Sequence, residues 1–403
     1  MRNSIIEYEQ GTLSQLCEII GGHPAPKENE FSQNGDGVPF VRMKDLGAYH
    51  LTNNLIKVSN NIRRDFFNNS NYKIIKKGAI LLPRSGSVAL NHRAILGMDA
   101  CIVSHICALQ VKNSELICNK YLYYFLTTVD MVNITKKTTG LDAITFGDLG
   151  KLRVKFPSIS IQKKITAILD QADELRKKDQ QLLDKYDELL QSIFYDMFGD
   201  PVKNEKGWEK GTIRDVVREV KYGTSKPAEE NGSYPYLRMN NITYNGDWDF
   251  SDLKYINLDN KEREKYLLQK NDLVFNRTNS KELVGKTAVY QLNDEMALAG
   301  SLIRIRTNEK ANPVYLSAYL NSKHGKAVLM GMCKNIIGMA NINAQELQGI
   351  KVLIPSISLQ NKFASIAQNI QKQKQQVKQQ IEQSENLFQS LLQRAFKGEL
   401  VKD

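Results

Sequence analysis

The internal repeat is the feature that most constrains how this chain can fold. The segment FPSISIQKKI at 156–165 returns as IPSISLQNKF at 354–363, which is 198 residues later. Across 149–165 and 347–363, eight of 17 aligned residues are identical without a gap, and Gln162 is one of them. Self-similarity at a fixed offset indicates a duplicated structural unit. The chain is therefore expected to be two copies of one plan.

The likeness continues upstream with a drifting offset. PFVRM at 39–43 matches PYLRM at 235–239, and LLPRS at 81–85 matches VFNRT at 274–278. Each copy thus has a divergent region followed by a better matched tail. One scaffold with two divergent regions indicates two different recognition surfaces. The four predicted segments are head 1 at 1–155, a first helical segment at 156–200, head 2 at 201–353 and a second helical segment at 354–403.

The tails predict two long helices. From Ile165 onward, positions spaced alternately by three and four residues are apolar or aromatic at eight of nine places. This spacing is typical of a coiled-coil seam. Each helix of about 36 residues would be about 54 Å long. Ser160 and Ser358 are candidate N-caps, and Gly199 is expected to end the first helix.

The two helices are expected to pack on each other within the chain, as an antiparallel coiled coil. A helix with so apolar a stripe would not remain solvated alone, and its duplicate is the natural partner. A coiled coil between two separate chains is the alternative. The second seam is more polar at its centre than the first. The predicted interface residues are Ile165, Ile168, Leu175, Leu182, Leu189, Ile193, Phe363, Ile366, Ile370, Val377, Leu387 and Leu391.

The heads predict a mixture of strands and helices. Short runs of β-branched and aromatic residues separated by turn residues, as at 77–88 and 271–281, are typical of strands. Helical segments follow at 119–128 and 312–322. The predicted fold class is α+β, with two mixed α/β heads that are each followed by one long helix.

Charge indicates that the heads meet a polyanion. The chain carries a formal charge of +11 and has a pI of about 9.2. Residues 163–198 carry six basic and eight acidic side chains, and residues 361–396 carry five and two, so the helices together hold +1. The remaining +10 lies elsewhere, mainly in the heads, where it would meet nucleic-acid phosphates.

Arginines at matched positions are the clearest candidates for contact with DNA. Arg42 and Arg238 follow similar apolar runs, and so do Arg84 and Arg277, which enter polar loops. A residue that both copies share is poorly suited to reading two different sequences, so phosphate contact or a structural ion pair is favoured over base reading. The candidate DNA-binding residues are Arg42, Lys44, Arg84, Ser85, Arg238, Arg277, Thr278, Asn279 and Lys281.

The sequence offers no catalytic motif. It has no phosphate loop of the form GxxxxGK[ST], and its five histidines and five cysteines lack metal-ligand or triad spacing. Asn312 to Tyr315 are similar to the NPPY motif of amino-methyltransferases, but the first copy has Asn119 at that place, which indicates a helix start instead. We expect a non-catalytic chain without metal, with reduced cysteines. The absence of a signal segment or a long apolar run predicts a cytoplasmic protein.

Two variable heads, each followed by a PS-I-S-x-Q segment and a long heptad helix, resemble the plan of type I restriction-modification specificity subunits. The resemblance covers nearly the whole chain, and the 156–165 and 354–363 segments are its most specific part. It implies that the heads are target recognition domains similar to those attached to adenine-N6 methyltransferases. Each head would then read one half of a split target in double-stranded DNA.

The resemblance also implies partners for the chain. The helices would set the spacer between the half-targets and dock two modification subunits, which supply the S-adenosylmethionine chemistry. Motor-nuclease restriction subunits would add ATP- and Mg-dependent restriction, while this chain holds no cofactor of its own. One alternative is a specificity subunit of a related two-component or fused methyltransferase-nuclease system. Another is a coiled-coil scaffold that binds proteins and not DNA.

Overall fold

The structure is a computed structural model that describes residues 7–50, 54–85, 88–134, 143–333 and 339–401. The chain divides into unit 1, made of 1–181 with 379–403, and unit 2, made of 182–378. No helix in these described ranges is both long enough and apolar enough to span a membrane.

Unit 1 begins with strands and short helices. The strands are β1 (Glu9–Thr12), β2 (Cys17–Gly21), β3 (Val38–Val41), β4 (Asn54–Leu55), β5 (Asn60–Ile62), β6 (Ile80–Pro83), β7 (Ala94–Leu96), β8 (Cys101–Ile102), β9 (Ile106–Val111) and β10 (Arg153–Phe156). The helices are α1 (Leu13–Leu16), α2 (Met43–Ala48), α3 (Arg64–Asn68), α4 (Asn119–Thr127), α5 (Phe146–Gly150) and the long α6 (Ile159–Phe198), which ends in unit 2.

Unit 2 repeats the order of elements. Its strands are β11 (Glu209–Thr212), β12 (Val217–Tyr222), β13 (Tyr234–Leu237), β14 (Lys254–Ile256), β15 (Leu273–Asn276), β16 (Thr278–Asn279), β17 (Thr287–Val289), β18 (Ala297–Leu298), β19 (Leu302–Thr307), β20 (Ala340–Asn341) and β21 (Lys351–Ile354). Its helices are α7 (Asn260–Tyr266), α8 (Pro313–Asn321), α9 (Lys323–Met332), α10 (Ala344–Gln348) and α11 (Ile357–Lys397), which ends in unit 1.

The sheets of the two units follow one plan. Unit 1 has a sheet of order β2-β9-β6-β7-β4, a second of order β5-β3-β8 and the pair β1-β10. Unit 2 has β12-β19-β15-β17, β14-β13-β18 and the pair β11-β21, with an added pair β16-β20. In both second sheets, the middle strand is antiparallel to one neighbour and parallel to the other. The predicted mixed α/β heads and their duplication are confirmed.

The long helices start at the repeated sequence motif. α6 and α11 begin at Ile159 and Ile357, so Ser160 and Ser358 are the second residue of each helix and not the N-cap. α6 ends at Phe198, as predicted, because Gly199 adopts a φ of +79°. Glycine reaches this left-handed conformation without the steric cost that other residues meet.

One buried glutamine fastens each long helix to the preceding chain. Gln162 accepts a hydrogen bond from the backbone N–H of Cys118 at 2.9 Å and donates to the carbonyls of Leu116 and Pro157. Gln360 makes the same three bonds, with the N–H of Asn312 at 2.8 Å and two carbonyls. Both side chains are fully buried. The bonds to the carbonyls of Pro157 and Pro355 are buried as well, which shields them from competition by water, and the other four bonds are partly buried.

α6 and α11 pack together in an antiparallel arrangement, as predicted. In unit 1, the guanidinium of Arg176 on α6 lies 2.8 Å from the Glu385 carboxylate on α11. In unit 2, Phe363 near the start of α11 packs on Phe194 and Phe198 near the end of α6, with ring centroids 5.8 and 5.4 Å apart. The apolar cores of both units include residues from the two helices.

The buried stripe of each helix differs from the predicted seam at alternate positions. Leu175, Leu182, Leu189 and Leu387 are 46%, 39%, 45% and 47% exposed. Ile168, Ile193, Ile366 and Leu391 are half-buried, whereas Ile165, Phe363, Ile370 and Val377 are buried. The more buried alternate positions lie one residue later, at 169, 176, 183 and 190 in α6 and at 367, 374, 381 and 388 in α11. Two of these are Arg176 and Lys374, whose polarity conceals the stripe in the sequence.

Candidate nucleic-acid interface

Arg84 and Arg277 occupy equivalent places in the two units. Arg84 directly follows β6, where its N–H donates to the His105 carbonyl and its own carbonyl accepts from Ile144, both at 2.8 Å. Arg277 directly follows β15, and its N–H donates to the Ser301 carbonyl at 3.0 Å. Its carbonyl accepts from the N–H of Ile342 at 2.9 Å. The backbone at both arginines is therefore fixed on both sides.

Both guanidinium groups lie over aromatic rings. The Arg84 guanidinium is 4.6 Å from the centroid of the Phe146 ring, and that of Arg277 is 4.9 Å from the Tyr222 ring. A cation over an aromatic face is stabilised by the ring quadrupole. In the described ranges neither arginine has an ion pair, and both Nε atoms are buried without a hydrogen-bond partner. The stacking holds each charge in place without neutralising it.

Arg42 and Arg238 also occupy equivalent places, but their surroundings differ. The N–H of Arg42 donates to Asp45 and that of Arg238 to Asn241, each at 2.8 Å. The Arg238 side chain pairs with the Asp252 carboxylate at 2.8 Å. The hydrogen bond and charge of Arg238 hold the pKa of Asp252 below its usual value. The charge of Arg238 is therefore paired within unit 2.

Arg42 is free of such a pair within the described part of the chain. Its guanidinium lies 4.6 Å from the centroid of the Phe31 ring. Both residues line an open cavity of about 500 Å³, together with Gln33 and Asn60. The Asn60 Oδ1 and the Arg42 Nε are buried and have no hydrogen-bond partner in the described residues. The exposed part of the Arg42 guanidinium and the exposed Gln33 amide are groups that match the hydrogen-bonding edges of bases.

The other predicted DNA-binding residues lie within four positions of these arginines in the sequence. Ser85 bonds to the His105 ring at 2.7 Å, and Thr278 pairs with Asn341 across the short β16-β20 sheet. Asn279 is half-buried and accepts from the N–H of Ser280 at 2.9 Å. Lys44 and Lys281 are exposed on the surface.

Sequence reasoning missed the aromatic partners of the arginines. Phe146 follows Arg84 by 62 residues, and Tyr222 precedes Arg277 by 55 residues, so neither pair has a local signal. The fully buried glutamines at 162 and 360 were visible as identities in the repeat, but nothing in the sequence assigned them bonds.

The described residues contain no cluster of three or more histidine, cysteine or acidic side chains that could hold a metal. Asn312 caps α8 by accepting from the N–H of Val314 at 2.9 Å, and Pro313 is the first helical residue. The predicted helix start at this motif is confirmed. Burial raises the pKa of Cys107 to about 12 and that of Cys101 to about 11, which disfavours the reactive thiolate.

Curated proteins of one kind resemble this chain along most of its length. It is 22% identical to the type I restriction enzyme EcoKI specificity subunit of Escherichia coli (strain K12), over 96% of this chain and 88% of that protein. It is 23% identical to the type I restriction enzyme StySPI specificity subunit of Salmonella potsdam, over the same shares.

Solved structures share the fold. The type I restriction-modification S subunit from M. genitalium matches with a TM-score of 0.52 and 17% identity, over 98% of each chain. A chain from a structure described as "Structural basis underlying complex assembly and conformational transition of the type I R-M system" matches with a TM-score of 0.54 and 15% identity, also over 98% of each chain.

The family match follows the duplication. Residues 5–185 and 205–383 each match the family described as the type I restriction modification DNA specificity domain. The curated relatives carry the name of specificity subunits. With two copies of this domain covering most of its length, the chain belongs to the type I restriction-modification specificity subunit family, whose members are DNA-recognition and not catalytic subunits.

Proposed function

We propose that each head of this chain reads one half of a split target in double-stranded DNA, as part of a cytoplasmic type I restriction-modification complex. Head 1 is assigned to 1–155 and head 2 to 201–353, with the helical segments at 156–200 and 354–403. The observation that carries the proposal is the pair Arg84 and Arg277. Within the described residues, each is a stacked guanidinium without an ion pair, at the same place in its unit, and that of Arg277 also donates to the Gly300 carbonyl at 3.4 Å.

The matched arginines are assigned to the DNA backbone. A residue that is identical in two heads with different targets suits the feature that all duplexes share, which is phosphate. Reading residues must instead differ between the heads. The Arg42 cavity suits that role in head 1, because the equivalent Arg238 in head 2 is held by Asp252. Head 2 must therefore read its half-target with other residues.

Arginine variants in the complex with the modification subunit test this assignment. We expect Arg84→Ala and Arg277→Ala to weaken binding to specific and non-specific duplexes alike. The slope of log K against log salt should fall by about one for each phosphate contact removed. Arg238→Ala is the matched control, because its charge is already paired, and it should change the slope less. Unchanged affinity and slope in both test variants would contradict phosphate contact.

The exposed leucines of α6 support docking of partner subunits on the helices. On the unit 2 part of α6, Leu182 and Leu189 are 39% and 45% exposed and lie seven residues apart. On the unit 1 part, Leu175 is 46% exposed, and half-buried Ile168 precedes it by seven residues. A seven-residue repeat of apolar side chains is a surface for another helix.

We assign this surface to two modification subunits, which would supply the S-adenosylmethionine chemistry. Restriction subunits with ATP and Mg would join the same complex. Co-purification of the chain with each subunit, followed by mapping of methylated positions in cellular DNA, tests the assembly and the split target together. Methylation at a single undivided sequence would contradict the proposal that each head reads one half of the target.

A further inference from the structure

Unit 2 contains a cavity of about 380 Å³ beside α8 and the two long helices. Four aromatic side chains contribute to its lining, which are Phe194, Trp248, Phe250 and Phe363. The Trp248 and Phe250 rings are stacked with their centroids 5.8 Å apart, and Trp248 is fixed by a 2.9 Å hydrogen bond from Nε1 to the Val289 carbonyl. Cavities of this size with mainly apolar linings are typical of small-molecule sites.

The equivalent region of unit 1 has larger side chains than several of the residues that line this cavity. The bonds of Gln162 to Cys118 and of Gln360 to Asn312 align α4 with α8. This alignment places Ser317 and Ala318, which line the cavity, opposite Tyr123 and Tyr124 of unit 1. On the long helices, the 198-residue offset places Leu190 opposite Phe388.

The equivalent positions in unit 1 are packed with rings. Tyr124 is 1% exposed, and its ring centroid lies 5.3 Å from that of Tyr123 and 6.0 Å from that of Phe388. The Tyr124 hydroxyl donates to the Asp170 carboxylate at 2.8 Å. The fold thus accommodates two tyrosine rings at these positions in unit 1. In unit 2, the small side chains of Ser317 and Ala318 leave that space open.

The polar groups around the cavity favour an uncharged ligand. Lys374 contacts Asp187 and lies 2.7 Å from Asp247, which in turn is 3.4 Å from Lys378. Two positive and two negative charges therefore balance at the lining. Asn321 also lines the cavity, and its Oδ1 is buried without a hydrogen-bond partner in the described residues. That oxygen is not exposed to the cavity, but the side-chain amides of Gln368 and Gln371 also line it, and their oxygens can accept a hydrogen bond from an N–H or O–H group of a ligand.

We propose that this cavity binds a small, neutral, planar aromatic molecule that carries one hydrogen-bond donor. A partner subunit that used one repeated surface on both copies would meet tyrosine rings in unit 1 and a cavity in unit 2. The difference between the copies thus favours a small molecule over a partner that docks twice. The arginines assigned to DNA are not among the residues that line the cavity, so its occupancy is measured without DNA.

Ligand-observed NMR with the full chain tests the proposal, with indole as the probe. We expect saturable binding of one indole per chain. Ala318→Tyr and Ser317→Tyr restore the side chains of unit 1 and should each abolish it. Ala318→Ser leaves the space open and should retain it. The fold of each variant is checked by its circular dichroism spectrum and by DNA binding of the assembled complex.

The unit 1 counterpart gives a second, independent measurement. Tyr124→Ala opens the equivalent position, so indole stoichiometry should rise from one to two per chain. The proposal is overturned if the unmodified chain shows no saturable binding at millimolar indole. It is also overturned if folded Ala318→Tyr and Ser317→Tyr bind indole as well as the unmodified chain does, because the probe would then occupy another place.

Discussion

Lys374 is buried against the carboxylate of Asp187, and the two residues repeat in unit 2 the ion pair that Arg176 and Glu385 form in unit 1. Each pair joins α6 to α11, and both members are displaced by 198 residues between the copies. Lys374 is only 2% exposed and has Asp247 as a second partner at 2.7 Å. Burial alone would lower the pKa of Lys374, but the carboxylates of Asp247 and Asp187 outweigh it and raise the pKa.

Asp247→Asn should destabilise unit 2. Lys374 would keep only Asp187 among its described carboxylate partners, while it remains buried. Removing one partner of a buried ion pair costs about 3–5 kcal/mol when no other remains, so we expect about 2 kcal/mol here. Urea unfolding of the full chain measures the change. Lys372→Met is the matched control because Lys372 is exposed on the same helix, and an equal loss in both variants would contradict the assignment.

The ion pair of Glu385 should make unit 1 sensitive to acid. Burial alone would raise the pKa of Glu385, but the bonds from Gln389 and Arg176 lower it below its ordinary 4.5. Stabilisation from a lowered carboxyl pKa is present above the unfolded-state value and is lost as the pH falls through the folded-state value. At pH 7, the unfolding free energy of Glu385→Gln should therefore be lower than that of the unmodified chain. The two values should converge below pH 4.5. A difference that is constant from pH 7 to acid would rule this out.

Gln162→Ala should lower the free energy of unfolding, because one substitution removes three hydrogen bonds. The variant leaves three main-chain groups without their partner, of which the Pro157 carbonyl is buried and the Cys118 N–H and the Leu116 carbonyl are partly buried. One unsatisfied buried polar group costs about 1–3 kcal/mol, and we expect at least that loss in urea unfolding. Gln171→Ala on the exposed face of α6 is the control and should change stability by less than about 0.5 kcal/mol. Similar values for the two variants would contradict the fastening role.

The double variant Leu182→Lys, Leu189→Lys should prevent assembly without unfolding the chain. Both leucines are exposed, so their replacement should change stability by only about 0.5 kcal/mol. A charged row cannot enter a coiled-coil seam, so we expect the modification subunit to dissociate in analytical ultracentrifugation. Glu188→Lys adds the same change of charge to the same exposed helix and should leave the complex intact. Assembly that survives the double variant would place the docking surface elsewhere.

Insertions in the long helices should test whether they set the spacer of the DNA target. Seven residues inserted after Asp179 and seven after Val377 preserve the heptad phase of both helices. They add about 10 Å, or about three base pairs. We expect the same two half-targets with a longer spacer when methylated positions are mapped. An unchanged spacer in an active complex would show that the modification subunits position the heads.

The repeat made most of the architecture predictable, whereas the site depends on contacts that no local pattern records. Identities around Pro157 and Gln162 located the helix starts, because both copies need the same attachment. The packing stripe was misplaced by one residue at alternate positions because Arg176 and Lys374 lie within it as ion pairs. Sequence similarity aligned Asn312 with Asn119. The hydrogen bonds of Gln360 and Gln162 show that Cys118 is its structural equivalent.

The glutamine bonds have a consequence for how such proteins diversify. The hydrogen bonds of Gln162 and Gln360 within the described residues go to main-chain atoms of the segments they hold. The attachment is therefore indifferent to which side chains those segments carry, and it requires only that the backbone follow the same path. A recombination event that introduces an unrelated head with the same backbone path would therefore preserve these hydrogen bonds. The gene could then acquire a new target in one step.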